Sequence, residues 1–189
     1  MNKKTVVSVI IVFVVLCLLV ACLGWLFYKL AGGAKSIFEN INEASQVGEN
    51  LGTQPPEAAN ALDALPSKVG SYTLDKETIQ SIEIFYEFHV DDDAYTGSYE
   101  GPDGKVELTI IQARSPGGAE NYMKAMMDWT DENMPDAYLT TLNMPGKKLI
   151  LYSSPDSHGH AWSSQEWVIS IDANTLEARD AFYESLPYR

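Results

Sequence analysis

An uncharged apolar run from Val6 to Tyr28 dominates this chain: 23 residues in which Ser8 is the one strongly polar side chain. At about 1.5 Å per residue such a helix extends about 35 Å, enough to cross a hydrocarbon core of about 30 Å. Helices buried in soluble cores are shorter and amphipathic, whereas this segment is apolar on every face. It reads as a transmembrane helix, with the lipid bilayer as the partner of residues 6–28. Trp25, Phe27 and Tyr28 suit the far interface, where Lys29 can snorkel. Lys3 and Lys4 lead the run, which places the N-terminus in the cytoplasm and the C-terminal domain outside it, at the cell membrane.

The run exceeds the 7 to 15 residues typical of a secretory signal core, so cleavage by signal peptidase is not expected. Leu19-Val20-Ala21-Cys22 resembles a bacterial lipobox and makes Cys22 an alternative lipidation site. Apolar residues continue from Leu23 to Leu30, where a lipoprotein needs a polar tether, so an uncleaved anchor is the preferred reading. Cys17 and Cys22 are the chain's two cysteines, which leaves no disulfide framework and no thiolate metal site beyond the anchor. There is no Asn-x-Ser/Thr acceptor, a weak pointer to a prokaryotic envelope.

Charge divides the chain as sharply as hydropathy does. All 26 carboxylates lie at or beyond Glu39, while Lys3, Lys4, Lys29 and Lys35 precede it. An acidic body repels phosphate backbones and anionic headgroups, so nucleic acid is excluded as a partner and another envelope protein is the candidate.

Gly32-Gly33 ends the anchor, and Ile37, Phe38, Ile41 and Ala44 recur at helical spacing beyond it. Between Gly48 and Ser67 the chain is rich in Gly, Pro, Ala, Asn and Glu, including Pro55-Pro56. The expected division is an anchor over 1–31, a juxtamembrane stalk over 32–64 and a folded domain over 65–189.

Within that domain, Ile82, Ile84, Tyr86, Phe88 and Val90 alternate with mostly polar neighbours, which predicts one half-buried strand. Tyr95–Tyr99 and Val106–Ile110 predict two more, joined through Gly101-Pro102-Asp103-Gly104. Ser115-Pro116 is a helix start, and Pro135 closes that helix. Strands are expected near Tyr138–Leu142, Leu149–Ser153 and Trp167–Asp172, before a last helix capped by Asn174. The order predicts an α+β domain: a small antiparallel sheet with two helices packed on one face.

Candidate chemistry is sparse. His158-Gly159-His160 beside Asp156, in what reads as a Ser/Pro/Gly-rich loop, is the metal candidate, because two imidazoles need a third ligand from Asp156, His89 or Glu166. Asp91-Asp92-Asp93 lacks the alternating spacing and glycine of a calcium loop and reads as an acidic turn. Met123, Met126 and Met127 read as core packing under a helix. There is no G-x-S-x-G, no nucleotide-binding motif and no other cofactor motif, and pairing Glu83 with Glu87 places both on the polar side of one strand. No catalytic set is expected. Tyr95, Tyr99, Trp129, Trp162 and Trp167 are candidates for a binding surface, with most of them expected in the core. The reading is a membrane-anchored, acidic extracytoplasmic binding module; the alternative is an envelope enzyme or metal-binding protein built on the His158/His160 loop.

Overall fold

A computed structural model describes residues 56–144 and 147–188. The apolar run 6–28, Cys22 and most of the segment read as a stalk lie outside these residues. Among the described residues no helix is long and apolar enough to cross a membrane.

The strands are β1 (Lys68–Val69), β2 (Tyr72–Leu74), β3 (Gln80–Ser81), β4 (Ile84–Phe85), β5 (Phe88–His89), β6 (Asp93–Gly101), β7 (Gly104–Gln112), β8 (Tyr138–Met144), β9 (Lys147–Ser153), β10 (His158–Ser164) and β11 (Trp167–Ala173). Helix α1 spans Pro116–Asn133 and α2 spans Leu176–Ser185. Nine strands form one antiparallel sheet in the order β1-β2-β6-β7-β11-β10-β9-β8, with β3 also paired to β6. The architecture is the expected α+β class.

The sequence explains why the helices start where they do. Ser115 Oγ accepts from Gly118 N at 3.1 Å, with Pro116 at the first helical position, a cap that contributes about 1 kcal/mol. The second cap is Thr175, whose Oγ1 accepts from Ala178 N at 3.1 Å, and not Asn174. Asn174 instead accepts from Lys105 N at 2.9 Å, tying the β6–β7 turn to the start of α2.

The helices do not share a face. Met123, Met126 and Ala119 of α1 pack with Ile111, Ile150 and Val168, whereas Phe182 and Ala178 of α2 pack with Leu108, Ile110 and Ile171. Successive strand residues point to opposite sides, so α1 and α2 cover opposite faces. The physical reason lies in β7, β9 and β11, where Ile110-Ile111, Leu149-Ile150 and Val168-Ile169 bury both parities, as strands do when each face has a cover.

The expected strand over Ile82–Val90 is also corrected. The chain reverses at Tyr86 and Glu87, with φ of 49° and 63°, so β4 and β5 form a separate hairpin. Phe85 is buried there, while Ile84 is 65% exposed. A reversal with positive φ at both central residues normally carries Asn or Gly, which is why alternation reads straight through it. The Tyr86 ring holds the turn against α1, 5.1 Å from Trp129 and 4.7 Å from Phe85.

The packed body begins before Leu65. Ala61 and Ala64 are buried, Ala61 N donates to Asp93 Oδ2 at 2.7 Å, and Tyr188 Oη donates to the Ala64 carbonyl at 2.8 Å.

Candidate functional site

The sequence singles out His158-Gly159-His160, and the structure places it on strand β10 and not in a loop. With one residue between them, both imidazoles project to the α2 side of the sheet. His160 is buried, with its ring 3.9 Å from that of Tyr183 and 5.3 Å from that of Trp162. Burial holds its pKa well below the usual imidazole range, and the neighbouring Arg179 guanidinium adds to this. Its Nε2, like Trp162 Nε1, has no hydrogen-bond partner among the described residues. His158 Nδ1 lies 2.6 Å from Ser153 Oγ. Asp156 does not join the pair: it lines a separate cleft with Glu107 and Asp172. His89 sits on the β4–β5 hairpin against Asp91, and Glu166 lies in the β10–β11 turn. Among the described residues no three His, Cys, Asp or Glu side chains are grouped to hold a metal ion.

The acidic triplet has structural partners. Arg114 Nε lies 3.3 Å from Asp92 Oδ1, Tyr122 Oη donates to Asp92 at 2.8 Å, and Asp93 receives Ala61 N. Of the candidate surface aromatics, Tyr99, Trp162 and Trp167 are core residues.

The glycine between the histidines does more than its neighbours. A Cβ at Gly159 would stand 1.7 Å from Tyr152 Cε1, so the tyrosine ring lies directly over β10 at this point. Gly159 pairs with Tyr152 on one side and Asp172 on the other. Passing over it, Tyr152 Oη donates to Asp172 Oδ2 at 2.5 Å, and Ser157 Oγ donates to Asp172 Oδ1 at 2.9 Å. Tyr86 Oη is 3.3 Å from Tyr152 Oη; since the Tyr152 proton is committed to Asp172, Tyr86 is the donor of that contact. Burial pushes the Tyr86 phenol up to about 12 and the Tyr152 phenol higher, so both remain neutral donors at physiological pH.

This relay ends in an open cleft. The row continues from Asp172 to Glu107 on β7 and Ser98 on β6, and the adjacent row holds Ser170, Thr109 and Thr96. Helix α1 covers the apolar part of this face and leaves the polar part to the hairpin, so Ile82, Ile84 and Phe85 wall a cavity of about 310 Å³ above Thr96 and Glu107. A second cleft of about 430 Å³ also contains Glu107 and Asp172. Thr109 Oγ1 donates to Thr96 Oγ1 at 3.1 Å, and Thr96 Oγ1 to the Leu108 carbonyl at 3.3 Å, which satisfies these buried hydroxyls.

Two carboxylates directly opposite on neighbouring strands repel. The surrounding protein, and then Asp172, raise the pKa of Glu107 above the ordinary carboxylate range although its side chain reaches solvent. Neither carboxylate has an ion pair among the described residues. The arrangement offers fixed acceptors and negative charge to a ligand.

The chain matches no known protein family and no curated protein. Among solved structures it is similar to a GTP binding regulator from Thermotoga maritima, at 14% identity and a TM-score of 0.48, over 63% of this chain and 77% of that one. A likeness of that degree leaves the function to be argued from this chain's own residues.

Proposed function

We propose that this protein is a single-pass membrane protein, anchored by residues 6–28 with its N-terminus in the cytoplasm, whose acidic domain binds a partner outside it. The observation that carries the binding half of this reading is the pairing of Glu107 with Asp172 on the floor of an open cleft, where neither has a cationic partner among the described residues. Like charges set opposite each other cost stability, and a fold that keeps them exposed to a cavity is explained by what the cavity receives. The hydropathy of the first 30 residues, with Lys3 and Lys4 leading the apolar run, supports the anchored half.

A photo-crosslinking side chain in place of Ser98, which lines the cleft, tests the reading in intact cells carrying the full chain. The expected result is a discrete adduct that is absent when the same side chain replaces Glu132, exposed on α1. Equal adducts from both positions, or none from Ser98, would count against the cleft as the binding site.

A further inference from the structure

We infer that the occupant of this cleft is a basic polypeptide segment, which sets a lysine or arginine head group between Glu107 and Asp172 and an adjacent apolar side chain against the exposed hairpin residue Ile84. The inference rests on the binding-module reading above and adds the chemistry of the partner.

Charge supplies the first argument. The second cleft is lined by five carboxylates, Asp75, Glu100, Glu107, Asp156 and Asp172, and one cation, Lys105, whose Nζ is already 2.8 Å from Glu100 Oε1. Anions are repelled from such a place, whereas a cation relieves the repulsion between Glu107 and Asp172. Asp172 is pre-set for this role, because Tyr152 and Ser157 hold both of its oxygens in place and leave it to accept further hydrogen bonds.

The hairpin supplies the second. Ile84 is 65% exposed, one of the four large apolar side chains exposed among the described residues. Ile84 lines the same cavity as Glu107, so apolar and acidic surfaces adjoin. A free metal ion or a small polyamine uses the acidic part alone; a peptide uses both. The hairpin is a rigid wall, since Phe85 packs into the core and the Phe88 ring stands 5.5 Å from that of Tyr122.

The test uses the full chain in nanodiscs of neutral lipid and three probes: a blocked octapeptide alternating leucine with lysine, its leucine/glutamate counterpart, and spermidine. Titration calorimetry should detect the lysine peptide, with affinity reduced about tenfold or more by Glu107→Gln and about threefold or more by Ile84→Ala, and unchanged by Glu132→Gln. Glu107 and Ile84 both reach solvent, so these variants keep the fold, and unchanged melting curves verify it. Equal binding by spermidine, or an equal loss from Glu132→Gln, would overturn the inference in favour of diffuse charge attraction. Binding of the glutamate peptide, lost in Ile84→Ala, would overturn the basic class while leaving the cleft as a binding site. Absence of binding by every probe, together with a Ser98 crosslink in cells, would overturn the partner chemistry alone; absence of both would overturn the binding-module reading as well.

Discussion

Tyr152 reaches across a whole strand to donate a hydrogen bond to Asp172 at 2.5 Å, and Gly159, standing between them in register, is what lets the ring pass. The consequence is a floor for the cleft whose key carboxylate is held from two strands away on the same face of the sheet.

Gly159→Ala should therefore cost about 2 kcal/mol, because the new methyl group occupies the place of the Tyr152 ring. In a Tyr152→Ala background, where that place is vacated, the same substitution should cost less than half as much. Denaturant unfolding of the four proteins of this cycle measures the coupling. Equal costs in both backgrounds would show that the glycine serves some purpose other than passage of the ring.

The hairpin correction has a mutational signature. As one continuous strand, Ile82–Val90 would bury Ile84; as a hairpin it buries Phe85. Phe85→Ala should destabilise by about 3 kcal/mol, and Ile84→Ala or Ile84→Asp by only about half a kcal/mol. Thermal melts of the three variants decide the matter, and a severe effect from Ile84→Asp would restore the single strand.

What the sequence shows and what it hides follow from the same physics. Tyr95–Tyr99 and Val106–Ile110 are legible because a Pro-containing turn between Gly101 and Gly104 separates two alternating runs, and α1 is legible because Ser115 and Pro116 mark its first turn. The β4–β5 reversal is not, since Tyr86 and Glu87 carry no turn signal. The helix faces were available in Ile110-Ile111 and Leu149-Ile150, where runs apolar at both parities call for a cover on each side. The cleft had a signal too. Thr96/Ser98, Glu107/Thr109 and Ser170/Asp172 are the polar halves of three neighbouring strands, and only pairing register shows that they share a face. In His158-Gly159-His160 the imidazoles are the conspicuous sequence feature, whereas it is the glycine that bears on the site.

His160 makes stability depend on pH in a defined direction. Its folded pKa is depressed by burial and by Arg179, whereas the unfolded chain takes up the proton near pH 6.5. The unfolded state thus binds more protons below that pH, so stability is intact above about 6.5 and declines as pH falls, with a limiting slope of about 1.4 kcal/mol per unit from this group. His160→Phe keeps an aromatic ring against Tyr183 and removes the titration. Chemical denaturation at pH 7.5, 6.5, 5.5 and 5 should show a shallower decline in the variant than in the natural protein; parallel curves would show that His160 ionises freely in the fold.

Whether the cleft is displayed outside the cytoplasm is settled most directly by thiol labelling. Cys17 and Cys22 both lie within the apolar run, so Ser98→Cys gives the acidic body its one thiol, set in the cleft beside Glu107. Intact cells carrying the full chain with this substitution are treated with a membrane-impermeant maleimide, and the natural chain serves as the blank. An anchored domain with its cleft open to the exterior predicts labelling of the variant in intact cells, to the same extent as after the membrane is permeabilised. Labelling that appears only after permeabilisation would contradict it.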